Sequence, residues 1–291
     1  MVGLALSGGA LRGTAHIGAL KALEEAHIPV KYLSGSSAGS FVAGVYACGV
    51  PVHILEAEAL RLNDSLLDFN ANGAAKAVLS CFGGRKAGFK GLVKGDAVQK
   101  LALRLTGGKK ICEATLGLAI SAVDLYSGKT IFFSNADIKP KGKDYLVLSD
   151  CMVADAIAAS SSIPAVFVPR QFQGYCLVDG GVTEYVPTKV LRDMGAKYVI
   201  AVDLGRETET RQTADDVLEI SARSFGIMNR RLADFSDKYA DIVIAPFVAD
   251  IGMFEFKRIN ECIQRGYQAT KMLIPAIKSA IMYGSPRHSA T

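Results

Sequence analysis

In the stretch Val30-Lys31-Tyr32-Leu33-Ser34-Gly35-Ser36-Ser37-Ala38-Gly39-Ser40-Phe41-Val42-Ala43-Gly44, a short apolar run stops at a glycine, turns through two serines and resumes as small residues. Val30–Leu33 has the length of a strand, and Ala38–Cys48 reads as a helix of small residues able to pack closely. Between them, Gly35-Ser36-Ser37-Ala38-Gly39 fits G-x-S-x-G. The spacing has a chemical reason. A serine at a sharp strand-to-helix turn lifts its hydroxyl off the sheet edge, and the flanking glycines keep a tight turn free of side chains. The helix that begins at Ala38 then offers backbone N–H groups to a developing oxyanion. Only Ser37 has glycine two residues away on both sides. Ser36 is expected to point into the fold or to bond within the turn. Taken alone, the same pattern also serves as an ordinary structural turn.

The flanking chain supplies the context. Val2–Leu6 is a short apolar run ending in Ser7-Gly8-Gly9, a buried strand entering a glycine turn. Ile17, Leu20, Leu23 and Ala26 then step by three, as on a helix with one buried face that Ile28-Pro29 ends. Strand, helix, strand, helix is the opening of an α/β fold with a mainly parallel sheet and crossover helices. Further on, Leu116–Tyr126 and Thr130–Ser134 read as a hairpin around Ser127-Gly128, and Asp150–Ser160 as a short helix. Tyr175–Val178 is a strand running into Asp179-Gly180-Gly181. Tyr198–Val202 and Ile242–Ala245 are β-branched runs expected to be central parallel strands. Phe254–Tyr283 is helical by its apolar steps, with Pro275 expected to kink or end it. No repeat and no low-complexity linker divides the chain. The expectation is a single domain over residues 1–291, with a basic variable insert at about 64–112 and a helical C-terminal part at about 212–284.

Composition excludes several classes. Half of the 291 residues are hydrophobic and 21% are charged, enough for a large core and too apolar for disorder. A net charge of +5 is too mild for a general nucleic-acid binder. The six cysteines, Cys48, Cys81, Cys112, Cys151, Cys176 and Cys262, form no CxxC pair and have no histidine at metal-ligand spacing. They read as reduced thiols of a cytoplasmic protein. The opening MVGLALSGG has no basic segment before its apolar one, unlike a signal peptide. Tyr32–Leu55 carries no Asp, Glu, Lys or Arg, yet its glycines, serines and Pro51 interrupt it too often for a spanning helix.

A serine nucleophile needs a base. The histidines are His16, His27, His53 and His288. Only His288 follows a plausible acid, and it sits in a polar tail rarely ordered enough for catalysis. His16 reads as a core or capping residue, and His27 and His53 as surface or helix-edge residues. Asp179, at the end of an apolar strand, is the alternative base. Gly180 and Gly181 let the chain turn without crowding it, although Asp-Gly alone is also common turn chemistry. Such a carboxylate predicts no loss of activity near the histidine range, about pH 6.5. The third piece is Ser7-Gly8-Gly9-Ala10-Leu11-Arg12-Gly13, a glycine-rich loop feeding a helix. A dinucleotide fingerprint fails because position 10 is Ala. A Walker motif ending in Ser127-Gly128-Lys129-Thr130 fails because Val123 stands where its earlier glycine belongs. Amides of Gly8, Gly9 and Ala10, with Arg12 supporting the loop, make an oxyanion hole equally well.

Together these pieces resemble the patatin-like phospholipase family. Leu6–Gly18, which includes Gly8, Gly9, Arg12 and Gly13, looks like its glycine-rich oxyanion segment. Gly35-Ser36-Ser37-Ala38-Gly39 looks like its nucleophile elbow, and Asp179-Gly180-Gly181 like its Asp-Gly-Gly/Ala motif. Ala159–Phe167 resembles a segment that precedes that aspartate. The match runs in order through most of residues 2–205 and is weaker over Asp64–Lys110 and the C-terminal third. The resemblance implies a three-layer α/β sandwich and a Ser–Asp dyad, with Ser37 the nucleophile and Asp179 the general base and acid. It implies hydrolysis of phospholipid or other acyl esters through an acyl-enzyme, without metal or cofactor, and a non-catalytic His16. Two positions depart from the family pattern. Ala10 replaces the third glycine of the loop, and Glu184-Tyr185 replaces an asparagine pair after Asp-Gly-Gly.

Phe82–Cys112 holds Arg85, Lys86, Lys90, Lys94, Lys100, Arg104, Lys109 and Lys110 against the one acid Asp96, with apolar residues interleaved. Such a segment docks on anionic membrane or forms a solvated face. Lys139, Lys141 and Lys143 read as an exposed loop. Two other functions fit the same residues: a lipid acyltransferase, and a non-catalytic lipid-binding regulator. A nucleotide-binding enzyme fits less well, since both phosphate motifs fail.

Overall fold

The computed structural model describes residues 1–70, 91–138, 145–206 and 217–283. Cys81, Arg85, Lys86, Lys90, Lys139, Lys141, Lys143 and His288 lie outside them. The chain begins with β1 (Val2–Leu6), a 3-10 turn at Ala10–Thr14, α1 (Ala15–Glu25), β2 (Val30–Gly35) and α2 (Ala38–Ala47). After α3 (Val52–Leu60) and α4 (Asp96–Thr106) come β3 (Gly117–Asp124), β4 (Thr130–Ser134), β5 (Tyr145–Leu148) and α5 (Val153–Ser160). Then follow β6 (Arg170–Phe172), β7 (Tyr175–Asp179), α6 (Thr188–Asp193), β8 (Tyr198–Val202), α7 (Val217–Ser236), β9 (Ile242–Ile244) and α8 (Ile259–Tyr283).

Among the described residues the strands form one sheet in the order β5-β4-β3-β2-β1-β8-β9, with β7 pairing both β3 and β6. β3, β2, β1, β8 and β9 are parallel. β4 runs antiparallel to β3, the hairpin expected around Gly128. Alternate side chains of the strands feed two cores, as the two-residue pleat requires. Leu4, Leu33, Ile120 and Ile200 face the helices α1, α2, α3, α5 and α8. Ala5, Ala119, Phe132 and Val199 face α6 and α7. The fold is thus the expected α/β sandwich, a mainly parallel sheet flanked by helices.

Two local expectations are corrected. β9 is parallel but lies at the sheet edge rather than in its centre, and it is only three residues long. Pro275 does not end α8, which runs for 25 residues through it. A proline forfeits one helical hydrogen bond, and burial of Thr270 and Ile277 on either side holds the helix on. The strand leading to Asp179 is not one of the parallel set: β7 arrives antiparallel to β3.

That reversal positions the site. β4 occupies one edge of β3, so β2 and β7 share the other. β2 runs alongside β3 until Gly35 lies opposite Ile120. β7 comes from the other direction until Asp179 lies opposite Ala122. The C-terminal ends of the two strands therefore face each other across the single residue Ser121. No helix among the described residues is long and apolar enough to cross a membrane.

Candidate active site

The turn after β2 is strained in the way its sequence suggests. Ser37 has φ 52° and ψ −124°, a backbone conformation that non-glycine residues seldom adopt. Its surroundings hold it there. The Ser37 N–H donates to Ser160 Oγ at 2.9 Å, and Ser40 Oγ donates to the Ser37 carbonyl at 2.6 Å. Gly39 lies so close to β1 that a Cβ there would stand 2.3 Å from the Leu6 carbonyl oxygen. Gly35 closes β2, and Gly13 packs against Ala38 at the start of α2. Ser36 is fully buried with its hydroxyl unpaired among the described residues, so it points into the fold.

Asp179 is also buried, with 1% of its surface exposed. Its N–H donates to the Ser162 carbonyl at 2.9 Å, and its Oδ1 accepts from the Gly181 N–H at 2.7 Å. Gly180 passes over Ser121 so closely that a Cβ would stand 2.2 Å from the Ser121 hydroxyl. Oδ2 has no formed hydrogen bond among the described residues. The Ser37 hydroxyl faces the carboxyl near enough to favour its charged form, short of a full bond, the loose geometry common before substrate arrives. Burial is the larger effect. It pushes the Asp179 pKa up to about 7, against the opposing pull of Ser37 and the Gly181 amide. This corrects the expected pH behaviour: a carboxyl so placed titrates where histidine does.

The loop after β1 supplies amides. The Gly9, Ala10 and Ala38 N–H groups have no acceptor among the described residues, and Ala10, Ser37 and Ala38 line the same cavity. Ala10 takes φ 51° without being glycine. Two residues expected in the oxyanion hole are otherwise engaged. The Gly8 N–H donates to the Tyr185 carbonyl at 3.2 Å, so it is not free for substrate. Arg12 turns away: its Nε donates to the Ile251 carbonyl at 2.6 Å and its Nη2 to that of Ala249 at 3.4 Å. It fastens the loop to the segment before α8. The departure at Tyr185 thus has a role, since its carbonyl holds Gly8 and its ring packs on Gly8 and Gly205.

His16 lies beneath the loop, fully buried, with Nε2 2.8 Å from the Ser7 carbonyl. Burial lowers its pKa to about 4, so the ring is neutral and its Nε2–H donates to Ser7. It does not reach Ser37 through any hydrogen bond. Four cysteines, Cys48, Cys151, Cys176 and Cys262, are free and buried, and Cys112 is free and exposed. No cluster of metal-ligating side chains occurs among the described residues.

From Ser37 an apolar trench runs between α2, α3 and α4. Phe41, Leu55, Leu101, Leu105, Phe167 and Phe254 line it. α4 belongs to the basic insert, and its apolar side (Val98, Leu101, Leu105) is a wall of this trench, with Lys100 and Arg104 exposed on the helix. Sequence reasoning missed the trench, Ser121 between the strand ends, and the bracing roles of Ser160 and Ser162. The last two lie in the quoted segment Ala159–Phe167, where only a resemblance marked them.

The sequence model of patatin-like phospholipase matches residues 4–192. The chain belongs to the patatin-like phospholipase family. Among relatives, the human patatin-like phospholipase domain-containing protein 6 is 28% identical over 251 residues, 86% of this chain and 16% of that protein. An uncharacterized NTE family protein of Mycobacterium tuberculosis is 27% identical over 224 residues, covering 74% of this chain and 54% of its own. A lysophospholipase NTE1 of Debaryomyces hansenii is 28% identical over 204 residues, 70% of this chain and 12% of that one. This patatin-like chain thus spans about half the length of the Mycobacterium tuberculosis relative and much less of the other two. Among solved structures, human GIVD cytosolic phospholipase A2 in complex with methyl gamma-linolenyl fluorophosphonate aligns over 99% of this chain and 60% of its own. The identity is 13% and the TM-score 0.49. VipD from Legionella pneumophila aligns over 94% of this chain and 66% of its own, at 12% identity and a TM-score of 0.49.

Proposed function

We propose that residues 1–291 act as one serine acyl hydrolase domain that cleaves fatty-acyl esters of phospholipids or lysophospholipids. The observation that carries the reading is the meeting of β2 and β7 on one edge of β3, which turns Ser37 and the buried Asp179 toward each other beside unpaired amides. Family membership and the apolar trench support a lipid substrate.

The chemistry follows from these groups. Ionised Asp179 takes the proton of the Ser37 hydroxyl as its oxygen attacks the ester carbonyl carbon. Negative charge gathers on the carbonyl oxygen, where the Gly9, Ala10 and Ala38 amides stabilise it. The tetrahedral intermediate expels the alcohol, which takes the proton from Asp179, and leaves an acyl-Ser37. Water, giving its proton to Asp179, then attacks the acyl carbon, and Asp179 passes that proton to the departing Ser37 oxygen as the fatty acid is freed. The acyl chain occupies the trench, and the apolar walls keep water from the ester.

A fluorophosphonate probe should label Ser37, and Ser37→Ala should lose both labelling and hydrolysis of a chromogenic acyl ester while keeping the wild-type Tm. Full activity in Ser37→Ala would overturn the assignment.

A further inference from the structure

Beside the trench lies a second, more open and more polar hollow that does not reach Ser37. Arg61, Asn63, Ser65 and Arg104 are among the groups that line it. The two spaces share one wall, made of Glu58, Leu62, Leu66 and Leu101. Among the described residues Glu58 is the one charged residue lining the trench. It is held from both sides. Arg104 of α4 donates to its Oε2 at 2.5 Å, and Arg61, one turn along at the end of α3, donates to its Oε1 at 3.1 Å. These partners, Arg104 foremost, keep the carboxyl below its usual range.

We propose that the Glu58–Arg104 pair is the partition that closes the apolar trench and sets the longest acyl chain it accepts. The proposal rests on the acyl reading of the trench. A methylene chain that reaches the carboxylate must stop there or push it off Arg104 and Arg61, giving up charge-assisted hydrogen bonds that the chain cannot replace. The pair also ties α3 to α4, so the two helical walls are held together where the trench adjoins the polar space. Arg104 is 59% exposed at its side chain, so its removal should disturb the opening more than the fold.

The test reads binding, so that it stands apart from hydrolysis. In a Ser37→Ala background, saturated fatty acids of increasing length displace a fluorescent fatty acid. Affinity should rise about fourfold for each added methylene while the trench fills, and then stop rising. In Glu58→Ala and Arg104→Ala the break should move to longer chains, each added methylene again giving about fourfold. Glu58→Gln keeps the side-chain volume and one acceptor oxygen, enough to hold Arg104, and should bring the break most of the way back to its original place. Lys100→Ala, on the exposed side of α4, should leave it in place. A break that stays put in both alanine variants overturns the partition, as does the absence of any length-dependent binding. Failure of the acyl-hydrolase reading would appear separately, as an unlabelled Ser37 in the wild-type chain.

Discussion

The strands that deliver Ser37 and Asp179 end two residues apart on the same edge of β3, Gly35 opposite Ile120 and Asp179 opposite Ala122. Because β7 comes in antiparallel, both carboxyl ends point into one gap, and Ser121 is the only residue of β3 left between them. Ser160 and Ser162 then brace the two sides, one accepting from the Ser37 amide and the other from the Asp179 amide. A serine and an aspartate far apart in sequence are thereby fixed by one edge of β3 and by two serines at and just past the end of α5.

The burial of Asp179 predicts a pH profile. If its carboxylate is the base, kcat/KM should rise with pH through about 7, the value to which burial pushes it. The sign for stability is opposite. The native pKa lies above the unfolded one, near 3.9, so the folded state loses stability as pH rises between the two values, by about 1.4 kcal/mol for each pH unit. Asp179→Asn can still accept from the Gly181 N–H. It should raise the Tm at pH 8, leave it little changed at pH 4, and abolish hydrolysis. A variant whose Tm gain is the same at both pH values would contradict the account.

His16 should have no part in that profile. It is neutral over the whole active range, because burial lowers its pKa to about 4. His16→Gln, able to keep a donor toward the Ser7 carbonyl, should leave the midpoint of the pH profile where it was. A midpoint displaced by this substitution would shift the proton chemistry from Asp179 to His16.

Ser160 is predicted to matter through the elbow. Replacing it by Ala leaves the buried Ser37 N–H without its acceptor, which costs about 1–3 kcal/mol. Since the strained Ser37 backbone depends on such bonds, kcat should fall while KM for a short ester holds. Thermal melts and steady-state kinetics of Ser160→Ala and Ser160→Thr read both effects, with Thr expected to recover part of the loss.

Two glycines separate close approach from simple turn chemistry. Gly39→Ala would drive a methyl group to 2.3 Å from the Leu6 carbonyl and should cost more than about 3 kcal/mol, enough to prevent folding. Gly128→Ala, at φ 68° with nothing within 4 Å, should cost only about 1 kcal/mol from its backbone conformation. Equal Tm losses would sink the distinction.

Much of this arrangement could be read from local signals. The opening β1-α1-β2-α2 follows from apolar spacing and glycine turns, and the β3–β4 hairpin from Ser127-Gly128. Ser37 stood out because G-x-S-x-G sat between a strand and a helix. Asp179 was identifiable as a residue, but its approach was not. The direction of β7 depends on pairing with β3 over fifty positions away, which no local pattern encodes. The free amides were equally hidden. Gly8 looks like its neighbours in sequence, yet its N–H is consumed by Tyr185. Arg12 looked like loop support, and its partners at Ala249 and Ile251 lie in the part of the chain with the weakest motifs. The trench escaped notice because its walls come from α2, α3, α4 and the segment before α8, each unremarkable by itself.

The fastening of Arg12 to carbonyls 237 and 239 positions further on has a consequence for biosynthesis. A chain still emerging from the ribosome carries its serine early, its carboxylate much later, and the anchor of its amide loop later still. The amide loop beside Ser37 can therefore gain these two anchors only when translation has passed Ile251 and that segment has folded back onto Arg12.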